Sequence, residues 1–189
     1  MYYETRWKNF MTVIDSIGNI LFFWTKLKKL RHVKKILVIR LDHIGDVVLS
    51  TPVFRALKNN YKAEVHVLVR NSCKEILKGN KNIDKIIPVD VPWFTYKKEK
   101  TASSIEILRL IRNLRKNRYD LIVELHADVR NILIAFLTGG FCIGYGIRGF
   151  GFLLNKVANY DKNLHIIDKN LGILSGLGIN LEDRELEID

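Results

Sequence analysis

Cysteine, proline and acidic residues are all scarce in this chain. It has two cysteines and three prolines in 189 residues, and 20 acids against 31 lysines and arginines. Cys73 and Cys142 lie far apart and fit no metal-ligand spacing, so they read as free thiols in a reducing compartment rather than as a disulfide framework. Few prolines beside 48% hydrophobic residues exclude a disordered chain and imply a real core. The longest apolar run of the first 34 residues, Ile20 to Trp24, is far short of the ~20 residues that cross a bilayer. Asp15 interrupts that region and no small-residue cleavage site follows, which argues against a signal peptide. The net charge of +11 favours anionic partners, whether phosphates, nucleic acid or a lipid surface, without choosing among them.

Familiar nucleotide and hydrolase signatures are missing as well. No GxGxxG follows the first expected strand, and no GxxxxGK[ST], GxSxG or CxxC occurs. Dinucleotide-binding, P-loop and serine-hydrolase chemistry are therefore disfavoured.

The stretch that is present and informative is KILVIRLDHIGDVVLSTPVFRAL, Lys35 to Leu57. Ile36 to Ile39 is an unbroken, β-branched apolar run, as in a strand buried on both faces. A short turn follows, and then apolar residues at helical spacing: Val47, Val48, Val53, Phe54 and Leu57. Strand, glycine-containing turn and helix form ligand sites at the carboxyl ends of α/β sheets.

Further strands are expected at 64–69, 83–89, 120–125 and 141–145. Helices are expected from Ser72 to about Lys78, at 102–116 with Ile105, Leu108, Ile111 and Leu114 inward, at 129–137, and at 165–177 before Gly178. Val91 to Phe94 reads as a loop with two exposed aromatics. The alternation implies a doubly wound, Rossmann-like parallel sheet over residues 35–180.

Residues 1–34 differ from the rest. Trp7, Phe10, Met11, Ile14, Ile17, Leu21 and Trp24 fall on one helical stripe, and seven basic residues face two acids. An amphipathic helix of this kind either lies on a membrane or packs on protein, and its pattern does not separate the two. Residues 181–189 are polar and acidic, like the start of a linker.

Asp42, His43, Gly45 and Asp46 share the first turn. Gly45 permits a positive φ and close approach of a ligand. Asp46, near a helix start, is either a simple cap or a carboxylate that accepts a proton from a hydroxyl. Thr51-Pro52 reads as a cap followed by the first helical residue, which implies a short preliminary turn before it. His126 and Asp128 are weak metal candidates with no third ligand in view. Arg130 and Arg148 belong to the same rim as Asp46. Two arginines and a carboxylate there suit an anionic substrate with a reactive hydroxyl.

These residues resemble a known family. KILVIRLDHIGDVVLSTPVFRALK is similar to the amino-terminal signature of glycosyltransferase family 9, the ADP-heptose:lipopolysaccharide heptosyltransferases and their relatives. YDLIVELHADVRN and LHIIDKNLGILSGLGI support the resemblance, which covers about residues 35–180. It implies the GT-B fold, in which an amino-terminal domain holds the acceptor and a second domain holds the nucleotide-sugar donor. It implies Asp46 as catalytic base of an inverting, metal-independent transfer that needs no cofactor beyond the donor substrate. Asp42, His43, Gly45, Arg130 and Arg148 are implied as acceptor-side residues, the arginines on acidic groups of a lipopolysaccharide-core acceptor.

The donor domain is not among these residues, so the resemblance implies half an active site, inactive alone. The expected location is the cytoplasm, at the inner-membrane face if residues 1–34 bind lipid. A truncated binding module for an anionic glycolipid is the alternative. A nucleic-acid-binding domain rests on charge alone and is not expected.

Overall fold

In the computed structural model the described residues are 2–93, 102–179, 181 and 184–187, with side chains from residue 11 onward. Six strands form one parallel sheet: β1 (Lys35–Arg40), β2 (Glu64–Val69), β3 (Lys85–Pro88), β4 (Leu121–Glu124), β5 (Phe141–Gly144) and β6 (Lys156–Val157). Their order is β3-β2-β1-β4-β5-β6, with β1 in the middle, as its continuous apolar run requires. The register sets Arg40 beside Val69, Ile39 beside Glu124, and Glu124 beside Gly144, so these residues mark one carboxyl rim. The third strand is shorter than its apolar run, and β6, only two residues long, has no sequence pattern to announce it.

Alternation along β1 divides the core. Ile36 and Val38 face α3 (Thr51–Tyr61) and α6 (Ile166–Ser175) through Val53, Phe54, Leu57, Leu171 and Leu174. Leu37 and Ile39 face α4 (Ser104–Lys116) and α5 (Val129–Thr138) through Leu114, Ile132 and Ala135. Ser103 and Glu106 close a full capping box at the start of α4. Its inward stripe is narrower than expected. Leu114 is buried and Ile111 packs on the core, while Ile105 and Leu108 are exposed. The expected helix after Ser72 is instead two single 3-10 turns, Asn71–Cys73 and Glu75–Leu77. Trp93 is half-buried against the core rather than exposed, and Phe94 lies outside the described residues.

The amino-terminal segment is α1 (Tyr2–Leu21), followed by a 3-10 turn over Phe23–Leu27. It packs on its own domain, turned from the expected stripe. Met11, Gly18 and Thr25 are buried, and Ile14 and Phe22 join the core, whereas Ile17, Leu21 and Trp24 face outward. Gly18 dictates this orientation, because any side chain there would enter the Phe152 ring. Asp15, which interrupts the apolar pattern, accepts the Phe150 N–H at 2.8 Å. Two lysines of the basic cluster also turn inward. Lys26 Nζ donates to the Gly151 and Leu154 carbonyls, and Lys28 Nζ to those of Gly139 and Gly140. No helix among the described residues is long and apolar enough to cross a membrane. At the other end Glu187 N–H donates to Thr51 Oγ1 at 3.1 Å, laying the tail along α3.

Candidate functional site

Arg40 ends β1 with its side chain 3% exposed. Its NH1 donates to the Leu125 carbonyl at 2.5 Å, and its NH2 lies 3.3 Å from Asp46 Oδ1 and 3.8 Å from Asp42 Oδ2. A buried guanidinium persists only where anions and acceptors offset its desolvation. Arg40 therefore binds the end of β4, the loop after β1 and the helix after that loop into one unit.

That helix is α2 (Ile44–Val48), the short preliminary turn that Thr51-Pro52 implied. Its cap position is His43, with extended backbone and no side-chain cap bond. Asp46 lies inside the first turn and is not the cap. It pairs with Arg40 instead, at a helix start where a negative charge is favourable. Its side chain is 33% exposed, and no other described side chain engages its Oδ2. Gly45 is helical, without positive φ, and a side chain there would meet open space. The fold does not need a glycine at this point. The second cap also shifts by one residue: Ser50 precedes α3, with Thr51 and Pro52 already helical.

Asp42 is buried. Its Oδ1 accepts the His43 N–H at 2.8 Å, and its Oδ2 lies 2.5 Å from His126 Nδ1. Burial alone would raise this carboxyl. The hydrogen bond and charge of His126, the His43 N–H and the charge of Arg40 together outweigh it and hold the group at about 2. Arg148 NH1 is 3.2 Å from His126 Nε2. A guanidinium can only donate, so Nε2 is the acceptor and Nδ1 carries the proton that Asp42 receives. His126 thus links Asp42 and Arg148. No group of three or more His, Cys, Asp or Glu side chains among the described residues is placed to hold a metal. Asp128 caps α5 and holds Arg130 in a bidentate pair at 2.9 and 2.7 Å, while the Arg130 guanidinium lies 5.2 Å above the Trp93 ring.

Asp42, His43, Gly45, Asp46, Arg130 and Arg148 all lie on the carboxyl rim, as the sequence implied. A cavity of about 940 Å³ opens at Arg130 and Arg148, lined also by Asp128 and the facing side of α1; Asp42, His43, Gly45 and Asp46 are not part of its lining. Three supporting residues escaped the sequence. Arg40 drew no reading from the sequence. Glu124, wholly buried, accepts the Ala127 and His126 N–H groups and fixes the turn that aims His126; burial pushes its carboxyl up to about 7. Asn170, buried in α6, donates to the Leu49 carbonyl at 3.0 Å and so satisfies the break between α2 and α3. A charged or amide side chain inside an otherwise apolar run was the available signal for all three.

The doubly wound sheet is a Rossmann-like domain, and its likeness to solved family 9 structures makes its fold that of one half of a GT-B protein. No family model matches the chain. Lipopolysaccharide heptosyltransferase 3 of Escherichia coli K12 is 31% identical over 142 residues, covering 71% of this chain and 40% of that protein. Lipopolysaccharide heptosyltransferase 1 of Campylobacter coli is 26% identical over 147 residues, 75% of this chain and 41% of its own length. The crystal structure of a family 9 glycosyl transferase from Veillonella parvula superposes with a TM-score of 0.69 at 24% identity, over 86% of this chain and 46% of that one. E. coli ADP-heptose lipopolysaccharide heptosyltransferase II gives 0.64 at 22%, over 82% and 47%. By sequence and fold together, this chain is a relative of glycosyltransferase family 9. It spans about 40% of the length of the curated relatives it matches.

Proposed function

We propose that this chain is the acceptor-binding half of an inverting, metal-independent glycosyltransferase. The donor is a nucleotide-diphosphate sugar, as for the ADP-heptose enzymes it resembles, and the acceptor is an anionic glycan of the lipopolysaccharide-core type. The observation that carries this reading is the setting of Asp46: its Oδ1 is held by buried Arg40 while the side chain stays a third exposed at the rim. A carboxylate so oriented can take the proton of an acceptor hydroxyl as that oxygen attacks the anomeric carbon. Asp42 does not suit this role, being buried and committed to His126. Arg148 and Arg130 would hold acidic groups of the acceptor.

Positioning of both substrates supplies much of such catalysis, so the 189 residues alone do not turn over. The test is transfer from ADP-heptose to a core acceptor by the isolated chain and by the chain joined to a family 9 donor-binding half. Activity only in the joined protein supports the reading. Activity of the isolated chain removes the two-half requirement, and inactivity of the joined protein removes the transferase assignment.

The same reading includes a membrane surface. Ile17, Ile20, Leu21, Phe23, Trp24 and Leu27 form an outward apolar edge, followed by exposed Lys29, Arg31 and Lys34. An anionic bilayer complements that pairing of apolar edge and positive charge. Co-sedimentation with phosphatidylglycerol vesicles, lost in Ile20→Ser/Trp24→Ser, is the expected result. Equal binding by that variant would reassign the edge.

A further inference from the structure

Helix α1 supplies one wall of the cavity beside the rim. Met11 and Ile14 face Val129, Ile147 and Phe150 across it, and the lining is mostly apolar. Met11 reaches this position because Gly149, at φ +105, leaves room that any side chain would fill. Few of the charges on these walls are available. Asp128 and Arg130 offset each other, and the Asp15 carboxylate keeps its charge while accepting the Phe150 N–H. Arg148 is different. It is exposed, its NH1 lies 3.2 Å from His126 Nε2, and no described carboxylate lies within 4.0 Å of it. The cavity therefore combines a mostly apolar lining with an exposed guanidinium, Arg148, that has no described carboxylate within ion-pair distance, and its volume falls in the range of small-molecule sites.

We propose that this cavity takes the apolar part of an amphiphile whose anionic headgroup lies on Arg148, with Met11 and Ile14 of α1 selecting that apolar part. This rests on the acceptor-side reading of the rim and deepens it. The ligand is amphiphilic, and its apolar portion enters the protein instead of remaining outside. A membrane lipid and a soluble amphiphile share this chemistry.

The probe is monomeric dodecyl phosphate, titrated calorimetrically into the full chain below its micelle concentration. Inorganic phosphate and dodecyl maltoside serve as head-only and uncharged controls. Dodecyl phosphate should bind at least about tenfold more tightly than either, the scale of one charge-assisted contact. Arg148→Gln should reduce it to the level of dodecyl maltoside. Ile14→Asn and Ile147→Ser, on opposite walls, should each weaken it about tenfold with melting temperature retained in at least one. Ile105→Ser, exposed on α4 and outside the lining, should leave it unchanged.

Equal binding of dodecyl maltoside, no saturable binding, or a loss in Ile105→Ser matching that in Ile14→Asn would overturn the proposal. Competition by phosphatidylglycerol vesicles then separates the sources: displacement points to a membrane lipid, and its absence to a soluble amphiphile. No donor or turnover enters the assay, so a null result leaves the Asp46 reading to its own test.

Discussion

His126 Nδ1 lies 2.5 Å from Asp42 Oδ2, joining two rim loops whose residues are 84 positions apart. The contact makes Asp42 a source of acid sensitivity. Its carboxyl sits at about 2 in the folded chain, against an ordinary value near 3.8. A depressed carboxyl contributes stability that is complete above the unfolded value and is lost as pH falls through the folded one. Asp42→Asn should therefore flatten the fall in urea midpoint between about pH 4 and pH 2. At pH 7 it should cost on the order of 2 kcal/mol. An unchanged acid limb would show that the His126–Asp42 contact does not stabilise the rim.

Glu124 has the opposite sign. Burial raises its carboxyl from 4.5 to about 7, so the folded chain holds a proton that the unfolded chain releases. Its contribution is full below about pH 4.5 and declines as pH rises towards 7. Glu124→Gln, neutral throughout, should remove that decline. Urea midpoints between pH 4.5 and 8 for both proteins check it, and parallel curves would contradict it.

Two glycines in helices should respond oppositely to alanine. At Gly18 the added methyl enters the Phe152 ring, and overpacking of this kind costs about 1–3 kcal/mol. Gly18→Ala should loosen α1 and speed proteolysis within residues 1–34. At Gly45 the methyl meets nothing, so Gly45→Ala should stabilise the fold by up to about 1 kcal/mol. If the acceptor approaches the backbone there, the same variant lowers transfer by the joined protein while raising its melting temperature.

The sequence made the central elements legible because their patterns are local. Ile36 to Ile39 is apolar on both faces, and Ser103 with Glu106 is a complete cap. The rim loops were legible as places, since turns after strands fall at the carboxyl edge. Their connections were not. Nothing local to Arg40 says that it reaches Leu125, Asp42 and Asp46, because those partners are set by strand order. The face of α1 was misjudged for a related reason. Hydrophobicity favours Ile17, Leu21 and Trp24, but the close approach that only Gly18 permits turns the helix away from them.

Asp46 is where the catalytic reading is most exposed to test. A sugar hydroxyl is a weak nucleophile at neutral pH, and a positioned base is worth about 10²–10⁴-fold in rate. Asp46→Asn keeps the shape of the side chain but cannot take the proton, so turnover by the joined two-half protein should fall by about that factor. Because Asp46 is no cap and Arg40 keeps the Leu125 carbonyl and Asp42, Asp46→Asn should lose less stability than Asp42→Asn. Asp42→Asn should show the reverse balance, a larger loss of stability and a smaller loss of rate. His43→Ala, at an exposed side chain, should do little to either. Initial rates and thermal melts on the same three variants separate the roles. If Asp46→Asn turns over normally, or loses activity only by unfolding, the base is elsewhere and Asp46 serves only to hold Arg40.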